Sequence, residues 1–300
     1  MRAAVYSQTG DPGEVLSVAE VEEPHAGPGQ VRVAVRAAGV NPIDWKLVGG
    51  LTGRTPDRPK IPGVDAAGVV DEVGEGVPGV QIGDAVFGQA QGGSAAEYAV
   101  LSVWARKPDA VSFEVAGGLP VAGETAVRVL DLLGLRSGQT VVVDGASGGV
   151  GSVTVQVARS RGLRVIGTAG DANQEFVRSL GALPTTHGPG LADRVRALAP
   201  DGVDGAVDTA GKGSVRELAE LTGDPGKVVT IADFGAADLG VQLTTGGGAQ
   251  GPRLAQIAEL LAAGGLELTV AATYPLDRIA EAYAESRAGH VRGKLVLRVE

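Results

Sequence analysis

The chain has no cysteine in its 300 residues. Disulfides, thiolate nucleophiles and cysteine-bound metals are therefore excluded, although this says little about redox compartment. Histidine is scarce too: His25, His187 and His290 are the only three, far apart in sequence. Basic residues are in deficit, with 26 Lys and Arg against 35 Asp and Glu and a formal charge of −9. Nucleic-acid binders usually carry a basic surface, so that partner class is disfavoured. No apolar run reaches the ~18 residues a membrane span needs. At the N-terminus (MRAAVYSQTG) no apolar segment follows a basic one. No signal peptide is read there, and a cytoplasmic location is expected.

What remains is ordinary globular material, 44% hydrophobic and 20% charged, with enough apolar side chains for real cores. A length of 300 residues fits two domains. The 48 glycines are too irregularly spaced for collagen and suit a protein of many tight turns.

Residues 1–115 read as short strands punctuated by turns: MRAAVYS, LSVAEVEEP, QVRVAVRAAGV, DAAGVVDEVG, GDAVFG and AAEYAVLS. Gly, Pro and Asp lie between them, and the spacing predicts an antiparallel, partly closed β-domain. The character changes near Ser112. SFEVAGGLPVAGETAVRVLDLL reads as a helical pair, followed by the strand TVVVDGA and the helix GVGSVTVQVARSRG. The strands LRVIGTA, VDGAVDTA and KVVTIA follow, with the helices NQEFVRSLG, ADRVRALAP and SVRELAELTG among them. Such alternation predicts βαβ units around a buried parallel sheet, an α/β Rossmann domain over 116–255. VQLTTGG (241–247) reads as an edge strand and GPRLAQIAELLAAGG as an amphipathic helix. Residues 256–300, with the helix DRIAEAYAESRAG and the strand GKLVLRVE, return to the first domain.

One motif carries chemistry. In VVVDGASGGVG (141–151) a buried strand enters Ala146-Ser147-Gly148-Gly149-Val150-Gly151, and a helix follows. This is a dinucleotide fingerprint with Ala146 in the first glycine slot. Gly148 lets the backbone approach a pyrophosphate, and Gly151 lets the helix pack closely on the strand. The N–H groups at the helix start face the anion. Glycine is common enough here for chance matches. The strand–turn–helix context makes this one specific.

With these residues in view, the chain resembles the medium-chain dehydrogenase/reductase superfamily, in its zinc-free quinone oxidoreductase (zeta-crystallin-like) branch. The likeness rests on VVVDGASGGVGSVTVQVARSRGLRVIGTAG, AAGVNPIDWKLVGG (37–50), IPGVDAAGVVDEVGEGV (61–77), GDAVFG, AAEYAV, LPVAGETA (119–126), VDTAG (207–211) and GKLVL (293–297). It implies a GroES-like β-domain, a nicotinamide cofactor in the cleft between the domains, and hydride transfer to a substrate there. Zinc-dependent relatives have a Cys at Asn41, a His at Val64 and a Cys near Val121; none of these residues gives a usable ligand set. The four-cysteine structural zinc loop is missing as well. Asp65, an acid that supports zinc in relatives, is read as structural.

The resemblance also implies roles for single residues, several of them beside a plainer reading. Asn41 would lie near the nicotinamide ribose and the substrate cleft, with Asp44 a further cleft candidate, or Asn41-Pro42 only starts a turn. Trp45 would line the substrate pocket or belong to the core. Thr125 would contact the cofactor near the nicotinamide or serve a helix start. Thr209 and Ala210, after the strand-ending Asp208, would line the site with backbone. Ile231 and Ala232 would pass behind the nicotinamide. Lys294 would reach the cofactor phosphates or be a solvated charge. At the end of LRVIGTAG (Thr168, Ala169, Gly170), NAD-binding relatives place an acid, and here its place falls on Ala169. A small neutral residue leaves room for a 2′-phosphate, so NADPH is expected, with Gly170 and His187 helping to hold it. Asp171 nearby and the lack of a following Arg or Lys oppose this. Otherwise His187 is a solvated loop residue. Tyr6, Tyr98, Tyr274 and Tyr283 read as packing residues, and no catalytic acid is assigned.

The function implied is NADPH-dependent reduction of a quinone or enone, whose conjugation leaves an electron-poor carbon for hydride. A dedicated enoyl reductase or tailoring enzyme, and a non-catalytic NADPH-binding protein, stay open. Relatives pair the edge at 241–247 across a two-fold axis, so a homodimer is expected. The metal reading has a direct check. Elemental analysis of the purified protein is expected to find no stoichiometric zinc, and chelators should leave its activity intact. About one zinc per chain, lost together with activity, would refute it.

Overall fold

Alternation of side chains builds the first sheet. The strands in chain order are β1 (Arg2–Val5), β2 (Ser17–Glu20), β3 (Val31–Val40), β4 (Asp65–Val73), β5 (Ala85–Gln91) and β6 (Tyr98–Arg106). Then come β7 (Thr140–Asp144), β8 (Arg164–Thr168), β9 (Leu183–Thr185), β10 (Gly205–Asp208), β11 (Val228–Thr230) and β12 (Gln242–Leu243). The last two are β13 (Val270–Pro275) and β14 (Lys294–Arg298). The computed structural model describes residues 1–248 and 250–299. It divides into one unit of Met1–Val121, Gln250–Gly264 and Leu268–Glu300, and another of Ala122–Ala249 and Gly265–Glu267.

In the first unit the sheet order is β13-β14-β3-β4-β5-β6, and β3 also pairs with β6, so four strands close on themselves. Val31, Val33 and Val35 alternate into the core from β3. Leu101, Tyr283, Leu295 and Leu297 share that core. The sheet departs from the purely antiparallel expectation at one place: β13 and β14 are parallel. The helix Ile279–Ala288 joins them, the crossover that parallel neighbours require.

The units divide at 121/122 and 249/250, where the sequence suggested 115/116 and 255/256. Two contacts account for the difference. Val121 N–H donates to Asp65 Oδ1 at 2.8 Å, holding the start of helix Pro120–Leu133 in the first unit. Helix Gln250–Ala262 buries Leu254, Ile257 and Leu261 and packs on β6. Of the expected strand at 293–300, Glu300 lies outside the described residues. No helix among the described residues is long and apolar enough to cross a membrane.

The second unit is a six-stranded parallel sheet in the order β12-β11-β10-β7-β8-β9. All five residues of β7 are buried, as a central strand covered on both faces must be. Helix Val215–Thr222 buries Val215, Leu218 and Thr222 at helical spacing and stops at Gly223, φ +68°. No strand is expected from the sequence at β9. It is three residues long with Pro184 at its centre, and it survives because it is the sheet edge, where a missing N–H costs no ladder bond. The edge expected at 241–247 forms only over Gln242–Leu243. Strand order reverses between β7 and β10, which makes their carboxyl ends the crevice of this α/β sheet.

Helix Gly149–Ser160 leaves β7 through a close backbone approach at Gly151. A Cβ added at Gly151 would stand 2.1 Å from Gly145 O and 2.9 Å from Ala146 Cα, both backbone. Gly151→Ala must therefore move the helix off the sheet. The expected cost is about 1–3 kcal/mol, lowering Tm by roughly 3–10 °C. Differential scanning calorimetry checks it, with Gly148→Ala as the control that should leave Tm unchanged.

Candidate cofactor and substrate site

At the carboxyl end of β7 the chain turns at Gly145, φ +81°. This glycine does what the first fingerprint glycine does, so Ala146, expected in that slot, needs no positive φ. Ala146 is buried, with its N–H on Thr168 O at 2.9 Å. Gly148 is the N-cap of helix Gly149–Ser160, and no side chain caps it. A Cβ at Gly148 would meet nothing nearer than Gly145 O, at 3.4 Å. The helix thus starts without a side-chain cap beside a glycine that leaves its Cβ side open, an arrangement that suits a phosphate. Ser147, Gly149 and Val150 are half-buried around it.

Two buried carboxylates, neither singled out in the sequence as a ligand, fix this end of the sheet. Asp144 accepts from Thr168 Oγ1 and, at 2.5 Å, from Ser214 Oγ. Thr168 Oγ1 in turn accepts from Gly145 N–H at 3.1 Å. Thr168, expected to touch the cofactor, is wholly buried and instead supports the loop from beneath. Asp208 accepts from Ala210 N–H at 3.0 Å, Gly211 N–H at 2.9 Å and Thr230 Oγ1 at 2.7 Å. Burial pushes its carboxyl above the usual carboxylate range, against the pull of those donors. Thr209 Oγ1 donates to Asp144 O at 2.7 Å, bridging β10 to β7 across the crevice. Ile231 N–H donates to Asp208 O at 3.1 Å, and Ala232 N–H to Thr230 Oγ1 at 3.2 Å. Thr209, Ala210, Ile231 and Ala232 are therefore gathered at the carboxyl ends of adjacent strands and are half-buried. The strand-end Asp, followed by Gly in one case and by Thr in the other, was the readable signal.

At the end of β8, Ala169 is 3% exposed. A carboxylate substituted there would be buried, so the place with room is the next residue. A Cβ on Gly170 would meet nothing closer than His187 Nε2, at 4.0 Å. The structure thus brings Gly170 and the exposed His187 together. Thr125 lies within helix Pro120–Leu133, not at its start. Its hydroxyl accepts from Arg128 Nη2 at 3.1 Å, and Arg128 also pairs with Glu124 at 3.1 Å and bonds Thr244 Oγ1.

In the first unit Asn41, Asp44, Asp65 and Lys294 form one buried cluster. Asn41 stands at the N-cap of helix Pro42–Val48, with Pro42 at N1, and its N–H donates to Asp44 Oδ2 at 2.8 Å. Its side chain is engaged elsewhere: Nδ2 donates to Asp65 Oδ2 at 2.9 Å, and Oδ1 accepts from Lys294 Nζ at 2.5 Å. Lys294 also donates to Val40 O at 2.8 Å and lies 3.8 Å from Asp65 Oδ2. Both sequence readings of Lys294 therefore need correction. It is 5% exposed, so it is not a solvated charge. Its ammonium is held by first-unit acceptors, so it does not reach for a phosphate. The Asn41 amide is likewise taken up on both sides. Asp65 is structural, as the sequence suggested. Trp45 is half-buried against the core, donates to Ser286 Oγ at 3.1 Å, and borders a groove of about 530 Å³ with Leu51 and Arg287.

Burial raises the Asp65 carboxyl and lowers the Lys294 ammonium, each restrained by the other's opposite charge. Burial also raises Asp44 to about 7, with the charge of Asp65 adding to it, because the Asn41 donors and the Lys294 charge do not offset the loss of water. Asp44 Oδ1 is buried without a partner. Among the described residues no group of three or more His, Cys, Asp or Glu could hold a metal ion.

Comparison with known proteins gives one pattern. Residues 27–109 match the alcohol dehydrogenase GroES-like domain and residues 180–297 the zinc-binding dehydrogenase family. A chloroplastic quinone oxidoreductase of Triphysaria versicolor is 31% identical over 99% of this chain and 98% of its own length. The 2-methylene-furan-3-one reductase of Solanum lycopersicum is 29% identical over 99% of this chain and 79% of its own length. A mycobacterial protein solved in complex with NADPH superposes with a TM-score of 0.82 at 26% identity, covering 99% of this chain and 100% of its own.

The position of Asp44 predicts a pH dependence. Its folded pKa of about 7 lies above the ordinary aspartate value near ~3.9, so between those values the folded state holds a proton that the unfolded state has lost. Stability therefore falls as pH rises through that window, by at most about 4 kcal/mol from this group. Asp44→Asn removes the titration. Urea unfolding at pH 5 and pH 8 should show the variant gaining on the parent at pH 8. A difference that does not change with pH counts against the assignment.

Proposed function

The chain belongs to the medium-chain dehydrogenase/reductase superfamily, in its quinone oxidoreductase branch, and from that premise we propose that it reduces quinones or α,β-unsaturated carbonyl compounds with NADPH and without zinc. The observation that carries the reading is the uncapped helix start behind Gly148, with open space before it. A pyrophosphate fits there: no side chain caps the first helical turn, and no Cβ intrudes at Gly148. When bound, the nicotinamide supplies a hydride to an electron-poor carbon. The chain's own part is to bind and orient. Gly148 and Gly149 receive the pyrophosphate, and Asp144 and Asp208 hold the strand ends rigid beneath it. The backbone at Ala210, Ile231 and Ala232 lines the crevice.

Zinc independence is supported by the Asn41 cluster. In place of a ligand set stands an amide engaged on both sides, with a lysine ammonium 2.5 Å from its oxygen. That fixed positive charge opposes a divalent cation. The named relatives, a quinone oxidoreductase and a reductase of a conjugated furanone, favour a small conjugated substrate. NADPH over NADH is supported by the lack of a carboxylate at Ala169 and Gly170 and by His187 beside them. For assembly, the exposed side of β12 is an unpaired edge at which two copies would pair as a homodimer.

Turnover is tested by following loss of nicotinamide absorbance with a simple ortho-quinone and with an enone. The parent should turn over at least one of them with NADPH. Gly148→Val should keep the parent Tm and lose NADPH binding by about 100-fold or more, because its side chain would occupy the anion's space. Unchanged binding would place the phosphate elsewhere. Cofactor choice is tested by Gly170→Asp, which sets a carboxylate beside the proposed 2′-phosphate. At a protein surface, two unit charges ~4 Å apart repel by roughly 4 kcal/mol before screening. Even a quarter of that is several-fold in affinity. KM for NADPH should rise while that for NADH holds or falls, and an unchanged ratio would count against NADPH.

A further inference from the structure

Arg194 belongs to helix Leu191–Leu198, yet its guanidinium turns back onto the loop before the helix. Nη1 donates to Pro189 O at 2.8 Å. Nη2 donates to Thr186 O at 2.9 Å, Gly188 O at 3.1 Å and His187 O at 3.3 Å. Four consecutive carbonyls are gathered by one side chain, which only a planar fork of donors can do. Gly188 and Gly190, at φ +86° and +78°, supply the tight turns that let the loop wrap it. Nothing in the reaction or in the dinucleotide fingerprint calls for this clamp.

Its consequence lies in what the loop carries. His187 is exposed, and its Nε2 is the nearest atom to the Cβ position of Gly170, at 4.0 Å. The neighbouring strand ends are tied as well. Gln174 Nε2 donates to Ala169 O at 2.7 Å and to Thr185 O at 3.1 Å, joining the ends of β8 and β9. One side of the imidazole's site is therefore fixed by Gln174, and the other by Arg194.

We propose that Arg194 is a positioning residue for cofactor discrimination: by gathering the carbonyls of 186–189 it holds the His187 imidazole beside Gly170, where it recognises the 2′-phosphate of the adenosine ribose. This rests on the NADPH reading above. All four of these donor contacts are to backbone carbonyls of the loop, so Arg194 acts on the imidazole only through the backbone that carries it. Without the clamp, the two-glycine loop would have to be ordered at each binding event, and that entropy would be subtracted from affinity for the phosphate alone.

Calorimetric titration with 2′,5′-ADP and 5′-AMP tests this without turnover, since neither probe carries a nicotinamide. The parent should bind 2′,5′-ADP at least about tenfold more tightly than 5′-AMP. Arg194→Gln should weaken 2′,5′-ADP about tenfold and leave 5′-AMP within about twofold. His187→Ala should do the same, and the double variant should be no worse than either single, because one residue acts through the other. Should Arg194→Gln fail to fold, Arg194→Lys replaces it, keeping the charge without the fork, with the same loss expected at smaller size. If the parent prefers 2′,5′-ADP and the variants weaken both probes equally, change neither, or add their losses in the double variant, the role of Arg194 is overturned and the NADPH reading stands. A parent without preference between the probes removes both.

Discussion

A carboxylate sealed from water must be met by donors or give up its charge, and the geometry of each unit is arranged around groups under that constraint. In the first unit Asp65, wholly buried, takes the Val121 N–H and the Asn41 amide, with Lys294 as its countercharge. One residue thus sets where helix Pro120–Leu133 begins, how the Asn41 side chain lies, and why β14 must bring a lysine into the interior. In the second unit Asp144 and Asp208 do the same at the carboxyl ends of β7 and β10. Their donors come from β8, from β11 and from the segments that follow β10. The loops of the crevice are held by what these two acids require.

That constraint separates residues that support the site from residues that are open to it. Thr168, Asn41 and Lys294 all stand where a ligand contact was expected, and all three are engaged by buried partners. By contrast, His187 is exposed, and a Cβ at Gly148 or Gly170 would meet nothing closer than 3.4 Å or 4.0 Å. Under the proposed function, such a site offers an anion backbone and glycine gaps and keeps its own charges behind the wall. There they fix geometry without repelling an anionic cofactor at contact distance.

Much of the fold was legible in the sequence. Period-2 valines in β3 and β-branched runs in β7 signal strands whatever surrounds them. The strand, glycine turn and helix over 141–151 were legible because the three occur together, a combination chance seldom gives. Where the reading slipped, the reason was local. β9 is too short, and Pro184 argues against any strand except an edge one. Gly145, not Ala146, makes the turn, and the two are adjacent. The parallel pair β13–β14 depends on a crossover that no local pattern announces.

By itself the sequence determined the element types, the parallel sheet, the close helix–strand approach at Gly151 and the absence of a cysteine ligand set. Each of these follows from side-chain period, backbone freedom or simple composition, which act over a few residues. Tertiary structure alone decided that Lys294 meets Asn41 and Asp65, residues more than 200 positions away, and that Arg194 turns back onto the loop carrying His187. A lysine in a turn-flanked strand reads the same whether solvated or buried. Only the closing of the sheet around it removes the water and leaves an amide, a carbonyl and a carboxylate as its partners.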